Sequence, residues 1–245
     1  MSESMKLQNY KDRWNEKPVL QKVYEDLYRR IECHCIDGNI LEIGGGIGNF
    51  DLEQREIIRT DLQFSHGVHV IADAHSLPFC DSTFNNIVLI DVLHHLECPL
   101  EFLSDAHRVL KEGGRIVMIE PGITPLSWIF YKLLHPEPVY MDWKPEEECH
   151  HDFLKDPYDS NQAIPTILFK RDADLFLHAV RGLRIVRSEW LSLFVYPLSG
   201  GFKPWSLIPE KWVCRVLKIE EKLLPFLGRL MAFRLMVVLE KEGSI

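Results

Sequence analysis

Three glycines, Gly44, Gly46 and Gly48, alternate with other residues just after a short apolar run, and they leave the main chain there with almost no side-chain bulk. Glu42 precedes them, and Asp61 follows Gly44 by seventeen positions. In a parallel βαβ unit, an acidic residue at about this distance accepts hydrogen bonds from ribose hydroxyls. The spacing therefore predicts a cradle in which a ribose-bearing ligand approaches the backbone.

The register of the glycines discriminates between two kinds of ligand. A dinucleotide fingerprint needs its third glycine at position 49, where this chain has Asn49. That mismatch counts against a pyrophosphate-binding loop, and so against an NAD-dependent or nucleotide-sugar enzyme. A tight turn after a buried strand is the alternative for any single glycine loop, so the role of this one depends on the residues C-terminal to it.

Two further carboxylates, Asp73 and Asp91, come directly after apolar runs that are typical of strands. A carboxylate just past a strand end can accept hydrogen bonds from an exocyclic amine, which recognition of an adenine edge requires. Open α/β sheets bind ligands at the carboxyl edge of their strands, so we expect both acids to lie near Asp61. Taken alone, Asp73 is more typical of an ordinary turn.

Alternating strands and helices position these residues. Helical spacing of apolar residues predicts amphipathic helices over Pro18–Ile31 and Pro99–Lys111, the second ended by Gly113 and Gly114. Apolar runs predict five short strands at residues 40–43, 57–61, 68–72, 86–90 and 115–120.

Four ordered segments between Asn39 and Pro121 resemble the quinone-biosynthesis-like branch of the class I S-adenosylmethionine-dependent methyltransferases. They are LEIGGGIG, ADAHSLPF, LIDVLHHL and LKEGGRIVMIEP, within a span of 83 residues. The chain departs from that family at Asn49–Arg55, where only about two helical turns fit before the second strand, so a trimmed or distorted helix is expected. The resemblance implies a Rossmann-like three-layer α/β sandwich, with S-adenosylmethionine as methyl donor and S-adenosylhomocysteine as product.

The resemblance also implies a role for each position of the predicted cradle. It assigns cofactor binding to Glu42 below the methionine amine, Gly44, Gly46 and Gly48 in the loop, Asp61 and Leu62 at the ribose, Asp73 and Ala74 at the adenine, and Asp91 at the methionine end. The sulfonium already activates the methyl group, so the protein has mainly to align a nucleophile and exclude water.

Two pairs of adjacent histidines are candidates for the general base that a hydroxyl acceptor would need. His95 and His94 rank first because they follow the fourth strand. The alternative is that one packs at the start of a helix and the other bonds to backbone. His150 and His151 rank second, and beside Cys149 they also suggest a metal site. Adjacent imidazoles on a loop seldom bind one ion, however, so we expect no metal.

The second half of the chain begins with residues 124–172, which are rich in proline and aromatic side chains. They predict a substrate cap inserted after the fifth strand, with an ordinary packed excursion as the alternative. A sixth strand at 184–194, a helix at 209–224 and a seventh strand at 233–240 complete a seven-stranded, mostly parallel sheet, whose last strand is antiparallel in the family that the chain resembles. We expect one domain, residues 1–245. Tyr10 and Trp14 either form a lid or pack on the core.

The composition of the chain indicates which kinds of partner and cellular location to expect. A net charge of −8 argues against a broad nucleic-acid footprint. Six scattered cysteines and a charged N-terminal segment predict reduced thiols and a cytoplasmic location. No stretch approaches the roughly 18 apolar residues of a transmembrane helix. Residues 205–239 interleave apolar and basic side chains, which predicts peripheral membrane contact or, alternatively, a core helix and a strand.

These patterns together predict an S-adenosylmethionine-dependent methyltransferase that acts on a small molecule or on a saccharide or lipid-linked intermediate. A second hypothesis is a non-catalytic module that binds S-adenosylmethionine and acts through partners.

Overall fold

Seven strands form one sheet in the computed structural model, which describes residues 3–52, 55–135, 137–145, 149, 156 and 158–243. The strands are β1 Ile40–Ile43, β2 Ile57–Asp61, β3 Val70–Ile71, β4 Phe84–Ile90, β5 Leu110–Pro121, β6 Leu183–Leu191 and β7 Arg234–Lys241.

Helices cover both faces of the sheet. They are α1 Glu3–Glu16, α2 Pro18–Glu32, α3 Pro99–Val109, α4 Pro125–Leu134, α5 Ile164–Thr166, α6 Ala173–Ala179, α7 Val195–Ser199 and α8 Glu210–Met231. A 3₁₀ turn covers Leu93–His95, and a π-helical turn covers Ile167–Arg171.

The strand order is β3-β2-β1-β4-β5-β7-β6. Strands β1 to β5 pair in parallel, and β7 is antiparallel to both of its neighbours. This confirms the predicted mostly parallel sheet with an antiparallel last strand. The order reverses between β1 and β4, and such a switch point is where open α/β sheets bind ligands.

Two apolar layers hold the helices on the sheet. Helix α2, predicted from its spacing, buries Leu20, Leu27 and Ile31 against one face. Helix α3 buries Phe102 and Leu103 in the layer on the other face. The three-layer sandwich predicted from the sequence is therefore present, and it leaves the carboxyl edge of the strands open for a site.

Several element ends differ from the prediction, and three of the differences have a local cause. The described residues of the Asn49–Arg55 stretch contain no helix, because Phe50 and Leu52 leave the loop to enter the α2 core layer. Helix α3 ends at Val109 rather than Lys111, since the chain enters β5 at Leu110. Strand β6 stops at Leu191, because Ser192 adopts a left-handed φ of 58°.

The cysteines also differ from the prediction that all six are reduced. A disulfide joins Cys98, just before α3, to Cys149, and the two Cα atoms lie 4.9 Å apart. The fold brings together two residues separated by 51 positions, a proximity that scattered spacing did not indicate. The other four cysteines are free thiols.

Within the described ranges, no helix combines the length and the apolar character that a bilayer crossing needs.

Candidate active site

A cavity of about 800 Å³ opens at the carboxyl edge of β1, β2 and β4. One part, the loop half, is lined by Glu42, residues 43–47 and 49, 60–63 and 72–75. The other part, the charged half, is lined by side chains from distant segments, among them Asp91, His94, His95, His135, Glu137, Tyr196 and Arg234. Every predicted cofactor-binding residue except Gly48 lines this cavity, and so do His94 and His95.

The glycine loop has a backbone that only glycine accommodates well. Gly44, Gly46 and Gly48 have φ values of +68°, +49° and +71°. A Cβ added at Gly44 would lie 2.4 Å from Val92 Cγ2, and one at Gly48 would lie 2.6 Å from the Gly67 Cα atom. The loop therefore combines left-handed conformations with a close approach of two backbone segments.

Asp61, at the end of β2, holds this loop in place. Its Oδ2 atom accepts the Gly46 N–H at 2.8 Å, and its Oδ1 atom accepts the Gln63 N–H at 2.9 Å. Leu62 beside it is half exposed toward the cavity. The carboxylate is thus oriented by backbone donors, and Asp61 lines the cavity.

Asp73 and Ala74 follow the short strand β3. Asp73 Oδ1 accepts the His75 N–H at 2.9 Å and lies 2.7 Å from His75 Nδ1. Ala74 is buried and lines the same part of the cavity. The structure therefore brings this pair beside Asp61, as expected for one ligand that contacts both.

Glu42 is a buried carboxyl group on β1. Its Oε2 atom lies 3.0 Å from Arg59 Nε, but among the described residues that oxygen has no hydrogen-bond partner. Burial raises the pKa of Glu42 to about 8, although the Arg59 charge opposes the shift. A buried acceptor without a donor fits a cationic ligand group, such as an ammonium, at the bottom of the loop half.

Asp91, after β4, is bound to a residue that the sequence reasoning missed. It has a φ of +57°, and its carboxylate forms two hydrogen bonds with Arg234, one of them 2.8 Å from Nη2. Tyr24 donates its hydroxyl at 3.2 Å, and the Arg234 guanidinium stacks 4.0 Å from the Tyr196 ring. Burial would raise the pKa of Asp91, but the Arg234 charge outweighs it and lowers the pKa.

His94 lies between two carboxylates. Its Nδ1 atom is 2.7 Å from Glu120 Oε2, and its Nε2 atom is 3.7 Å from Glu137 Oε2. Burial would lower the pKa of His94, but the bonds to Glu120 and Glu137 raise it to about 9. His94 is therefore protonated at neutral pH, a charge state that does not fit the predicted general base.

His95 differs from its neighbour. Its Nδ1 atom lies 3.4 Å from the Asp159 carbonyl oxygen, and burial followed by the charge on His94 lowers its pKa to about 4. It is neutral at neutral pH and faces the cavity. Of the two predicted bases, His95 is the one whose charge state fits.

Five other residues are candidates from the sequence, and the structure describes three of them. His150 and His151 lie outside the described residues, and Cys149 is in the disulfide. Tyr10 lines the cavity, with its ring centroid 5.0 Å from that of Phe202. Trp14 instead packs edge-to-face on Tyr24 at 5.7 Å, so the two aromatics of α1 have different roles.

Glu120, Glu137 and Arg234 were not predicted as site residues. Glu120 and Arg234 are both buried charges beside apolar strand segments, IVMIE and LMVVL. A charged side chain in an apolar strand is buried and needs a partner, so the sequence pattern could have indicated that Glu120 and Arg234 are paired. Their partners were not predictable, because they come from other segments.

Part of the chain is similar to known methyltransferases. Residues 41–118 match the sequence profile of a methyltransferase domain family. The chain is 41% identical over 143 residues to a ubiquinone/menaquinone biosynthesis C-methyltransferase of a Ruegeria species, covering 55% of this chain and 52% of that protein. It is 29% identical over 116 residues to a demethylmenaquinone methyltransferase of Staphylococcus epidermidis, covering 45% and 43%. The chain thus spans about half the length of these curated relatives.

Solved structures extend the similarity beyond the matched segment. An S-adenosylmethionine-dependent methyltransferase of Archaeoglobus fulgidus aligns with a TM-score of 0.51 and 21% identity, over 91% of this chain and 94% of that one. A geranyl diphosphate C-methyltransferase of Streptomyces coelicolor aligns with a TM-score of 0.53 and 12% identity, over 90% and 80%. At these identities the similarity concerns the fold.

Proposed function

We propose that the protein transfers a methyl group from S-adenosylmethionine to a small-molecule acceptor that presents a hydroxyl, because residues 41–118 match the methyltransferase domain family and the chain resembles C-methyltransferases. The observation that supports this activity is the shared cavity, in which the loop half and the charged half face one space of about 800 Å³. A donor and an acceptor can therefore meet there without crossing solvent.

The loop half supplies the cofactor contacts. Glu42 accepts a hydrogen bond from the methionine ammonium through its Oε2 atom, which pairs with the Arg59 charge but has no hydrogen bond among the described residues. Asp61 accepts the ribose hydroxyls, and Asp73 with Ala74 lies at the adenine edge. The bound cofactor supplies a methyl group activated by the sulfonium. The chain itself has to orient this group and exclude water.

The charged half receives the acceptor. Residues of the proposed cap, 124–172, contribute Phe130, Tyr131 and Glu137 to its wall, within one domain. His95 is neutral and accepts the hydroxyl proton as the methyl group arrives. Arg234 and Tyr196 form a rigid floor, because the guanidinium is held by Asp91 and stacked on the ring.

Calorimetry with S-adenosylhomocysteine tests the cofactor assignment. We expect Asp61→Ala to weaken binding by at least about tenfold, because hydrogen bonds to a charged group contribute about 1.5–3 kcal/mol. Asp37→Ala, which removes a fully exposed carboxylate, is the matched control and should bind normally. An unchanged dissociation constant for Asp61→Ala would remove the ribose assignment.

Two further measurements separate the alternatives. Binding of NAD without binding of S-adenosylhomocysteine would defeat the proposal in favour of a dinucleotide enzyme. Transfer of label from methyl-labelled S-adenosylmethionine to a pool of hydroxylated compounds is expected for an enzyme. A non-catalytic module would bind the cofactor and transfer nothing to any pool.

An exposed apolar surface favours a lipid-linked acceptor as a second candidate. On α8, exposed apolar side chains form one stripe at helical spacing: Trp212, Ile219, Phe226 and Leu230. Helix α4, which contacts α8, exposes Ile129 and Leu133 beside an apolar groove of about 230 Å³. Phe130 lines both this groove and the cavity, which supports a hydrocarbon chain leaving the cavity along α4.

Membrane docking of this surface has a direct test. Co-sedimentation with vesicles containing anionic lipid is expected for the wild type and reduced several-fold by Phe226→Asp, which places a charge at an apolar contact. Ile71→Asp is the matched control, because Ile71 is also exposed but lies on β3 at the opposite end of the sheet. No binding of the wild type would remove the membrane contact and leave the cofactor assignment intact.

A further inference from the structure

Three side chains with metal-binding donor atoms converge in the charged half. His94 and His95 lie on the 3₁₀ turn after β4, and Glu137 lies in the segment after α4. One donor atom from each lies within 4.8 Å of the other two, and His94 Nε2 is 3.7 Å from Glu137 Oε2. Ligand atoms at about 2.0–2.2 Å from one zinc ion lie roughly 3.0–3.6 Å apart from each other. Shifts of about 1 Å in the side-chain positions would therefore bring the three donor atoms to binding distance of one ion.

The turn explains how two adjacent histidines contribute to one site. The imidazole rings of His94 and His95 are 4.2 Å apart between centroids and tilted by 41°. Both therefore lie on the same side of the chain, within reach of Glu137. Adjacent imidazoles on an extended loop seldom converge on one point, but those on this turn do.

Each ligand has an outer partner that orients it. Glu120 Oε2 accepts from His94 Nδ1 at 2.7 Å, while Glu120 Oε1 accepts the N–H groups of Val92 and Leu93 at 2.9 Å each. This carboxylate holds the proton on Nδ1 and directs Nε2 toward Glu137, an arrangement found behind metal-binding histidines.

Glu137 and His95 are held in the same way. Ser160 donates its hydroxyl to Glu137 Oε2 at 3.0 Å, and the Gln162 side-chain amide donates to the same oxygen. His95 Nδ1 lies 3.4 Å from the Asp159 carbonyl oxygen. Segment 159–162 thus supports two of the three ligands from the side opposite Glu120.

The local charge matches a dication. Asp91 is neutralised by Arg234, so Glu120 and Glu137 are the two carboxylates grouped around His94. A divalent ion that replaces the proton on His94 Nε2 balances both of them. Two imidazoles and one carboxylate suit zinc, manganese, iron or cobalt better than magnesium or calcium, which prefer oxygen ligands.

We propose that His94, His95 and Glu137 form a binding site for a divalent transition-metal ion in the charged half of the cavity. Three protein ligands leave at least one coordination position open toward the cavity, as in catalytic metal sites.

The site has a use in catalysis that rests on the proposed methyl transfer. With an ion bound, His95 would act as a ligand instead of the base, and an acceptor hydroxyl at the open position would lose its proton to solvent water, because a cation lowers the hydroxyl pKa. The oxygen lone pair then bonds to the methyl carbon while the carbon–sulfur bond breaks and its electron pair passes to sulfur. Metal binding itself does not depend on this step.

Equilibrium dialysis of the untagged, chelator-treated full chain against Zn²⁺ or Co²⁺ tests the site. We expect one ion per chain, and the Co²⁺ form should show visible d–d absorption from nitrogen and oxygen ligands. His95→Ala and Glu137→Gln should each weaken binding by at least tenfold. His178→Ala, which removes an exposed imidazole on α6, should bind like the wild type.

Binding of S-adenosylhomocysteine by the same variants serves as the folding control. Retained cofactor binding with lost metal binding supports the site. Less than one-tenth of an ion per wild-type chain, or equal metal affinity in all three variants, would overturn it. Because cofactor affinity is measured separately, failure of the metal site is distinguishable from failure of the proposed methyl transfer.

Discussion

The two halves of the cavity are built in different ways. The loop half is built around the glycine loop, where Gly44 and Gly46 leave the main chain without side-chain bulk and Asp61 holds it by one N–H bond. The charged half consists of side chains such as Arg234 and Glu137, which pair with groups from other segments.

The difference has a physical cause. Backbone conformation at a strand end depends on neighbouring residues, so a short segment is enough to specify it. A buried charge is stable only with a partner, and the partner is set by how strands and helices pack. The loop half should therefore be sensitive to steric changes, and the charged half to the loss of one member of a pair.

The largest expected effect concerns the Asp91–Arg234 pair. Arg234 is 1% exposed, and Arg234→Met would leave the Asp91 carboxylate without its main partner. Breaking a buried pair in this way costs about 3–5 kcal/mol of unfolding free energy; we expect the lower end, because Asp91 faces the cavity. Urea unfolding followed by circular dichroism measures the change.

A double variant separates charge from packing. Asp91→Asn combined with Arg234→Met removes both charges and should recover most of the lost stability. If the double variant is as unstable as Arg234→Met alone, packing of the guanidinium on Tyr196 is the cause instead of the unpaired carboxylate.

The next effect concerns sterics in the loop half. Gly48→Ala forces a left-handed φ on alanine and also pushes its Cβ to 2.6 Å from the Gly67 Cα atom. We expect a loss of about 2 kcal/mol or more, of which about 1 kcal/mol is backbone strain. Thermal and urea unfolding measure it.

Gly113→Ala is the matched control for this variant. Gly113 has nearly the same φ, +70°, but no atom lies within 4 Å of an added Cβ. Gly113→Ala should therefore lose only about 1 kcal/mol of unfolding free energy, the part that comes from backbone strain. Equal losses in the two variants would mean that the approach of the loop to Gly67 contributes nothing.

The smallest effect is a pH dependence of cofactor binding in the loop half. Burial raises the pKa of Glu42 to about 8, so its carboxyl group is mostly protonated at pH 6 and about half ionised at pH 8. If the carboxylate binds the methionine ammonium, affinity for S-adenosylhomocysteine should rise about tenfold between pH 6 and pH 7, in step with the ionised fraction of Glu42. Calorimetry at several pH values measures it.

Glu42→Gln tests whether Glu42 causes this pH dependence of cofactor affinity. The variant keeps the size of the side chain and cannot ionise, so its affinity should be nearly constant between pH 6 and 8. A wild-type-like slope in this variant would assign the pH dependence to another group and remove Glu42 from the ammonium site.

Part of this protein was readable from local pattern alone. Apolar runs and helical spacing predicted the seven strands and helix α2, and the glycine register with Asp61 and Asp73 predicted the loop half. These features depend on residues that are close in sequence, on the alternation of apolar side chains and on the freedom of glycine at positive φ.

Packing decided the rest. The charge on His94, the pairing of Asp91 with Arg234 and the disulfide of Cys98 all depend on groups many positions away. The stretch after Gly48 shows the same limit, because burial of Phe50 took precedence over a short helix. Pairing energies inside a protein depend on distance and burial, and these exist only once the sheet and its two helical layers have formed.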